Sequence, residues 1–170
     1  FGAIGFLDDY LSLTKKWMNG VPGVVRLSLQ AVMAIAIISM IIRINGGVEA
    51  TAVYMPFFKD AVLGLGLVGF LIFACFVIVG AANAVNLTDG LDGLAIGCSN
   101  SVAVAYLALT YVAGHFTFAE YLQVPFVRGS SELTVFCGAL LGSGLGFLWY
   151  NCHPAKIFMG DTGSLALGGA

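Results

Sequence analysis

The chain has 170 residues, of which 59% are apolar and only 9% are charged. Soluble globular domains usually carry about 25% charged residues, so this composition excludes an ordinary soluble domain and favours a polytopic membrane protein. The formal net charge of −2 provides no basic surface, which argues against a nucleic-acid partner. The four cysteines form no C-x-x-C pair and no metal-binding spacing with His115 or His153, so we interpret them as small apolar side chains.

Four apolar stretches are long enough to cross a bilayer as helices, since a span needs about 20 mostly apolar residues. In chain order they are 24–44 and stretches within 61–88, 93–119 and 133–155. Arg26 and Arg43 are predicted to snorkel from the ends of the first span. Residues 1–7 are expected to be the tail of an earlier span and 165–170 the start of a later one. Because the chain begins at Phe1 rather than Met, we expect a fragment of a longer protein.

Alternation of the spans predicts which connections share a membrane face. Loops 8–23, 83–93 and 151–163 fall on one side, and loops 45–60 and 114–132 on the other. Five acids lie on the first side, and all are aspartates: Asp8, Asp9, Asp89, Asp92 and Asp161. Four basic residues lie on this side and three on the other. Because cytoplasmic loops carry an excess of Lys and Arg, this distribution favours a cytoplasmic position for the aspartate side.

Each aspartate also has a purely structural interpretation. Asp8 and Asp9 would simply end a span, Asp89 and Asp92 would serve a turn and a helix N-cap, and Asp161 would cap a helix beginning at Thr162. Their coincidence on one face favours a shared site instead. Clustered carboxylates suit Mg²⁺, and the G-D-T-G string before a helix offers free N–H donors to a phosphate. The sequence therefore predicts a magnesium-dependent phosphate site at a membrane surface, joining a phosphorylated donor to a lipid.

Three other functions explain the acids less well. The D-T-G-S string at 161–164 also marks pepsin-like proteases, but these need two such copies on β-rich lobes, and only one is present. A prenyl-diphosphate transferase would carry D-D-x-x-D or N-D-x-x-D, whereas Asp8 and Asp9 continue as Y-L-S. An ion transporter would place carboxylates at the bilayer midplane, and none of the four apolar runs contains one.

Three motifs carry a specific family resemblance. G-F-L-D-D-Y at 5–10, N-A-V-N-L-T-D-G-L-D-G-L-A at 83–95 and F-M-G-D-T-G-S-L-A-L-G-G at 158–169 closely resemble the phospho-N-acetylmuramoyl-pentapeptide transferases (the MraY family). The segments at 56–60 and 146–151 are also similar, so the resemblance covers essentially the whole chain. It implies an all-α, polytopic integral membrane protein with a ten-helix fold. About five transmembrane helices would lie in this fragment, with 1–170 a single catalytic domain and the N- and C-terminal spans missing.

The resemblance also implies the reaction. Phospho-MurNAc-pentapeptide would pass from UDP-MurNAc-pentapeptide to undecaprenyl phosphate, giving lipid I and UMP with Mg²⁺ as cofactor. This would be the first membrane step of peptidoglycan synthesis, in the bacterial inner membrane with the site facing the cytoplasm. Because a lipid phosphate is already largely ionised near neutral pH, a one-step displacement is favoured over a phospho-enzyme on Asp161. The resemblance also leaves a homodimer open.

Residue roles carry over motif by motif as implications of the resemblance. The implied catalytic residues are Asp8, Asp9 and Asp161, with Asp161 also the magnesium ligand. The implied nucleotide-sugar-binding residues are Asn86, Asp89, Gly90, Leu91, Asp92, Asn151 and Phe158, the last by stacking its ring on uracil. Lys16 falls loosely near a cationic position that the family uses for phosphate or lipid.

Two alternatives stay open at this point. A sister enzyme that transfers GlcNAc-1-phosphate from UDP-GlcNAc to a polyprenyl phosphate shares the same core motifs, and a membrane transporter is the alternative from another class. The family also carries a His-rich loop nearer its C-terminus, which is absent from these 170 residues. We therefore expect residues 1–170 alone to be inactive.

Overall fold

The computed structural model of the chain describes residues 1–14, 20–44, 51–54 and 62–170. Within these ranges the chain forms seven helices and one two-stranded antiparallel sheet. The helices are α1 Gly2–Thr14, α2 Gly23–Ile44, α3 Gly66–Thr88, α4 Leu94–Gly114, α5 Phe116–Leu122, α6 Ser130–Asn151 and α7 Gly160–Gly168. The strands β1 Ala52–Tyr54 and β2 Val62–Gly64 pair between α2 and α3. The segment at 56–60 and Lys16 lie outside the described residues.

Four helices are long and apolar enough to cross a membrane. They are α2, α3, α4 and α6, with 22, 23, 21 and 22 residues. At 1.5 Å per residue each is about 32 to 35 Å long, which matches a hydrocarbon core of about 30 Å. These four spans confirm the predicted all-α polytopic membrane fold.

Three local features differ from the sequence expectations. Helix α1 continues to Thr14, so Asp8 and Asp9 lie within a helix rather than at the start of a loop. The connection predicted at 114–132 contains the short helix α5, whose seven residues are too few for a reliable periodic pattern. The β1–β2 pair is only three residues long in each strand, which is below the length at which alternation is informative.

The chain divides into two compact units. The first comprises Phe1–Asn86 together with Gly160–Ala170, and the second comprises Leu87–Met159. Each is described by itself below. A single catalytic domain over residues 1–170 stays a prediction.

Two helix contacts of the first unit bear on the position of its polar residues. Helices α1 and α7 approach so closely that a Cβ added at Gly5 would lie 2.7 Å from the Thr162 backbone nitrogen. Helices α2 and α3 pack through apolar side chains, with Ala34, Ile38 and Val79 buried between them. A glycine at the first contact is therefore what allows the backbone of α7, and Asp161 with it, to lie against α1.

The second unit is an α4–α6 helix pair. Small residues again allow the approach, because a Cβ on Gly114 would lie 2.8 Å from the Ser131 Cα. One hydroxyl pair, Thr110 with Thr134, joins the helices at 3.1 Å. The N-terminus of α4 is capped by Gly93 in the left-handed region, at φ 76°, without a side-chain cap. The structural interpretation in which an aspartate caps this helix therefore does not hold.

Candidate active site

Asp161 is the centre of a polar cluster in the first unit. It is the second residue of α7, and its Oδ2 accepts a 2.6 Å hydrogen bond from Nη1 of Arg26. The same Nη1 donates to Oδ2 of Asp8 at 3.3 Å. Two carboxylates from α1 and α7 therefore converge on one guanidinium from α2.

The position of Arg26 corrects its predicted role. Snorkelling would carry this side chain towards lipid head groups. Instead, the side chain is only 26% exposed and contacts Asp8 and Asp161. Charge-assisted bonds to two partly buried carboxylates are stronger than interactions with solvated head groups, which explains the preference. Sequence reasoning missed Arg26 as a site residue. The sequence did offer one indication of this role. Arg26 is a cation in the first turn of a span, and that span begins on the membrane side predicted to hold the aspartates.

The electrostatics of the cluster favour additional positive charge. Burial is the main cause that raises the pKa of the Asp161 carboxyl above its ordinary value, and the neighbouring Asp8 raises it further. The hydrogen bond from Asn86 and the charge of Arg26 act in the opposite direction without cancelling the rise. Ionised Asp161 is thus incompletely compensated by the protein alone.

Asp9 is engaged with the start of α7. Its Oδ2 accepts bonds from the Thr162 backbone N–H at 2.9 Å and from Thr162 Oγ1 at 2.6 Å. Its Oδ1 accepts from the backbone N–H of Asp161 at 3.3 Å. A carboxylate at this end satisfies orphan N–H groups and complements the helix dipole. The expectation that these N–H groups are free for a phosphate is therefore wrong for Asp161 and Thr162, whose N–H groups already bind Asp9.

Asn86 holds the other oxygen of Asp161. Its Nδ2 donates to Oδ1 of Asp161 at 2.8 Å and to Oγ of Ser164 at 2.9 Å. Ser164 is fully buried and also donates to the Gly160 carbonyl at 2.9 Å. The sequence assigned Asn86 to nucleotide-sugar binding, whereas the structure places its amide on the Asp161 carboxylate. Its role toward a ligand stays a prediction.

Asn151 organises the cluster of the second unit. It is 4% exposed, and its Oδ1 accepts a 3.1 Å bond from the Gly93 backbone N–H. Its Nδ2 donates to the Ile157 carbonyl at 2.8 Å. One side chain therefore joins the end of α6 to the D-G-L-D-G loop and to the residue preceding Phe158. Its amide is used within the protein, which suits a residue that shapes a binding loop.

Asp92 and Phe158 complete the described part of this second cluster. Oδ2 of Asp92 accepts from the Ala155 backbone N–H at 3.1 Å and lies 3.1 Å from Nδ1 of the exposed His153. The ring of Phe158 is 73% exposed, and Leu91 in the same loop is 70% exposed. Gly90 is exposed and Asp89 is half-buried. The exposed ring and loop are accessible to a ligand, and their predicted contacts to a nucleotide stay predictions.

The donor set of the first cluster fits a divalent cation. Within the described ranges, no group of three or more His, Cys, Asp or Glu side chains is arranged to hold a metal. Magnesium does not need such a group, since it usually takes one or two carboxylates and completes its shell with water and phosphate oxygens. Asp8 and Asp161 already share one cation, Arg26, which shows that both oxygens can face the same positive charge.

Comparison with known proteins gives a consistent result. A protein of Syntrophus aciditrophicus (strain SB), named phospho-N-acetylmuramoyl-pentapeptide-transferase, is 52% identical over 170 residues, covering 100% of this chain and 46% of its own length. A protein of the same name from Rhodopseudomonas palustris (strain BisB18) is 52% identical over 99% of this chain and 47% of its own length. The chain thus spans about half the length of the curated relatives it matches.

These relatives and the four apolar helices identify the chain as part of a multi-pass bacterial membrane protein. The sequence profile described as "Glycosyl transferase family 4" matches residues 1–170. Because the match extends over every residue, including both aspartate clusters, the chain belongs to glycosyl transferase family 4.

Proposed function

We propose that the protein containing this chain transfers phospho-MurNAc-pentapeptide from UDP-MurNAc-pentapeptide to undecaprenyl phosphate. The products would be lipid I and UMP, and the reaction would be the first membrane step of peptidoglycan synthesis. The observation that carries the proposal is the convergence of Asp8, Arg26 and Asn86 on Asp161 in a family 4 chain. The names of the two relatives support the choice of substrates.

Asp161 would hold Mg²⁺, with Asp8 as the second carboxylate. The raised pKa of Asp161 supports this assignment, because its ionised form lacks full compensation from Arg26 and Asn86. When bound, the metal would offset the negative charge of a pyrophosphate and stabilise the leaving UMP. Asn86 would keep the Asp161 carboxylate in one orientation through its bond to Oδ1.

Asp8 would orient the acceptor phosphate, and Arg26 would reduce its repulsion from the donor. An oxygen of the lipid phosphate attacks the sugar-linked phosphorus, a new P–O bond forms, and the bond to the UMP oxygen breaks. The acceptor needs little help from a base, because a phosphate monoester has its second pKa near 6. No enzyme nucleophile is required, so Asp161 is free to serve as a metal ligand. Asp9 would act by fixing the start of α7.

The D-G-L-D-G loop and Phe158 would bind the nucleotide. A ring that is 73% exposed is available to stack on a base. Asn151 would maintain the loop through Gly93 and Ile157 rather than by direct contact. Burial of Asn151 supports this role.

The membrane would be the inner membrane with the site facing the cytoplasm, which the four-to-three distribution of basic residues supports. The proposal of a homodimer rests on the family resemblance alone.

The test is UMP release by the complete protein in detergent or lipid with undecaprenyl phosphate. We expect release from UDP-MurNAc-pentapeptide, dependence on Mg²⁺ and loss on chelation. Asp161→Asn should abolish it, whereas the exposed Glu120→Gln in α5 is the matched control and should not. UMP release from UDP-GlcNAc but not from UDP-MurNAc-pentapeptide would identify the protein as the sister enzyme that transfers GlcNAc-1-phosphate. No release from either donor would refute a transferase.

A further inference from the structure

A hydrogen-bonded amide pair joins two of the membrane spans in the first unit. Nδ2 of Asn83 in α3 donates to Oε1 of Gln30 in α2 at 2.6 Å and to the Val79 carbonyl at 2.8 Å. Gln30 is fully buried. Since Val79 offers only an acceptor, Asn83 must present its NH₂ group there, and Gln30 must present its oxygen to the same group. The orientation of both amides is thus set by their contacts.

The pair lies one helical turn from the Asp161 cluster on both helices. Gln30 is four residues after Arg26, and Asn83 is three residues before Asn86. Residues at these spacings share a helix face. Arg26 and Asn86 in turn donate to the two different oxygens of Asp161. The relative position of α2 and α3 along their axes therefore decides whether both donors reach one carboxylate.

The rest of this interface offers few polar contacts that would set that position. The packed side chains around the pair are apolar, including Ala34, Ile38 and Val79. Interdigitated apolar side chains resist small shifts but can repack in a neighbouring register, whereas a buried amide leaves its partner unpaired if the helices shift. Nε2 of Gln30 has no partner among the described residues. The interface thus retains a buried amide whose NH₂ group is unpaired, an arrangement that does not stabilise the fold.

We propose that the Gln30–Asn83 hydrogen bond is a positioning element, which sets the register of α2 against α3 and so holds Arg26 and Asn86 on the two oxygens of Asp161. The consequence for turnover rests on the proposed transferase function. The helix register does not depend on that function, so the register and its effect on turnover are tested by separate measurements.

The first measurement reports the register directly. Sγ of Cys75 in α3 lies 3.9 Å from the Ala31 carbonyl in α2, so an Ala31→Cys substitution places a second thiol near it. The complete protein would carry this pair with the remaining cysteines of this chain replaced by alanine, namely Cys98, Cys137 and Cys152. We expect the pair to cross-link on mild oxidation. Cross-linking should be lost when Gln30→Leu and Asn83→Leu are combined. Retained cross-linking in that variant overturns the proposal.

The second measurement separates positioning from stability. Replacing both partners of a buried polar pair by apolar groups is nearly neutral or stabilising, so the double leucine variant should keep its Tm. We expect kcat for UMP release to fall about 10- to 100-fold while the KM for the nucleotide sugar stays unchanged, because only alignment is lost. The exchanged pair Gln30→Asn with Asn83→Gln should recover both cross-linking and kcat.

A matched control is available in the second unit. Thr110→Val with Thr134→Val removes a hydrogen bond between α4 and α6 in the same way and should leave kcat unchanged. An equal loss of kcat in this control, or unchanged kcat in the double leucine variant, would overturn the positioning role. If the wild-type protein releases no UMP, the transferase function fails instead, and cross-linking alone decides whether the amide pair sets the register.

Discussion

Substituting Gly5 by alanine tests whether the α1–α7 contact positions Asp161. The added Cβ would lie 2.5 Å from the Asp161 carbonyl carbon and 2.7 Å from the Thr162 nitrogen. These are backbone atoms, so no side-chain rotation relieves the clash. The backbones must separate by at least about 0.9 Å for the carbonyl carbon to reach the 3.4 Å of ordinary van der Waals contact, and the Asp161 carbonyl oxygen lies closer still.

The displaced atoms belong to Asp161 itself, so the shift reaches its carboxylate directly. The 2.6 Å bond to Arg26 and the 2.8 Å bond to Asn86 would both lengthen towards or beyond hydrogen-bond range. Overpacking of this kind costs about 1 to 3 kcal/mol of folding free energy. A misplacement of about 1 Å near a reacting centre costs on the order of 100-fold in rate.

Gly80→Ala in α3 is the matched control, since a Cβ there meets nothing within 4 Å. It should preserve activity and stabilise the helix by up to about 1 kcal/mol. The assay compares Tm in detergent and UMP release for both variants of the complete protein. Full activity of Gly5→Ala, or equal damage by Gly80→Ala, would refute the claim that this close approach positions Asp161.

Three further predictions follow from the two clusters. Because burial raises the pKa of Asp161, the metal-free folded state binds this proton more tightly than the unfolded state, so its contribution to stability falls as pH rises from the ordinary value of 3.8 through the raised pKa of the folded state. Asp161→Asn should therefore preserve or raise the metal-free Tm at neutral pH while abolishing UMP release. A lower Tm would show that ionised Asp161 stabilises the metal-free fold, contrary to the direction of its pKa shift. Asn151→Leu should raise the KM for the nucleotide sugar about tenfold, because the loop loses two hydrogen bonds of about 1 kcal/mol each, and an unchanged KM would disprove its role. Gly93→Ala should lower stability by about 1 kcal/mol because its φ is 76°, whereas Gly97→Ala, which meets nothing within 4 Å, should not, as thermal unfolding would show.

The positions of the spans could be read from local composition because a bilayer imposes a fixed length on any apolar helix. The first predicted span, 24–44, differs from α2 by one residue at its start, and α3 lies within the second predicted stretch, 61–88. Helix α6 begins at Ser130, three residues before the fourth predicted stretch, 133–155. Termini inside polar connections were harder to predict. Helix α1 passes through Asp8 and Asp9 without a break because both residues are held by contacts from other elements.

The aspartates were identified as functional candidates from their spacing, but their individual roles were not. Two neighbours in sequence, Asp8 and Asp9, have different tasks, since one faces Arg26 and the other binds the start of α7. Successive residues of a helix point about 100° apart, so adjacent carboxylates necessarily meet different partners. Which partner each one meets depends on the neighbouring helices and is invisible in the motif.

Composition and the order of motifs along the chain were enough to predict the family, the membrane spans and the set of aspartates. That Arg26 belongs to the site became visible only from the packing of the helices. Arg26 and Asp161 are separated by 135 positions, and their bond exists because Gly5 allows α7 to approach α1 while the Gln30–Asn83 pair joins α2 to α3. Contacts between distant residues depend on how the backbones approach one another, which local patterns do not encode.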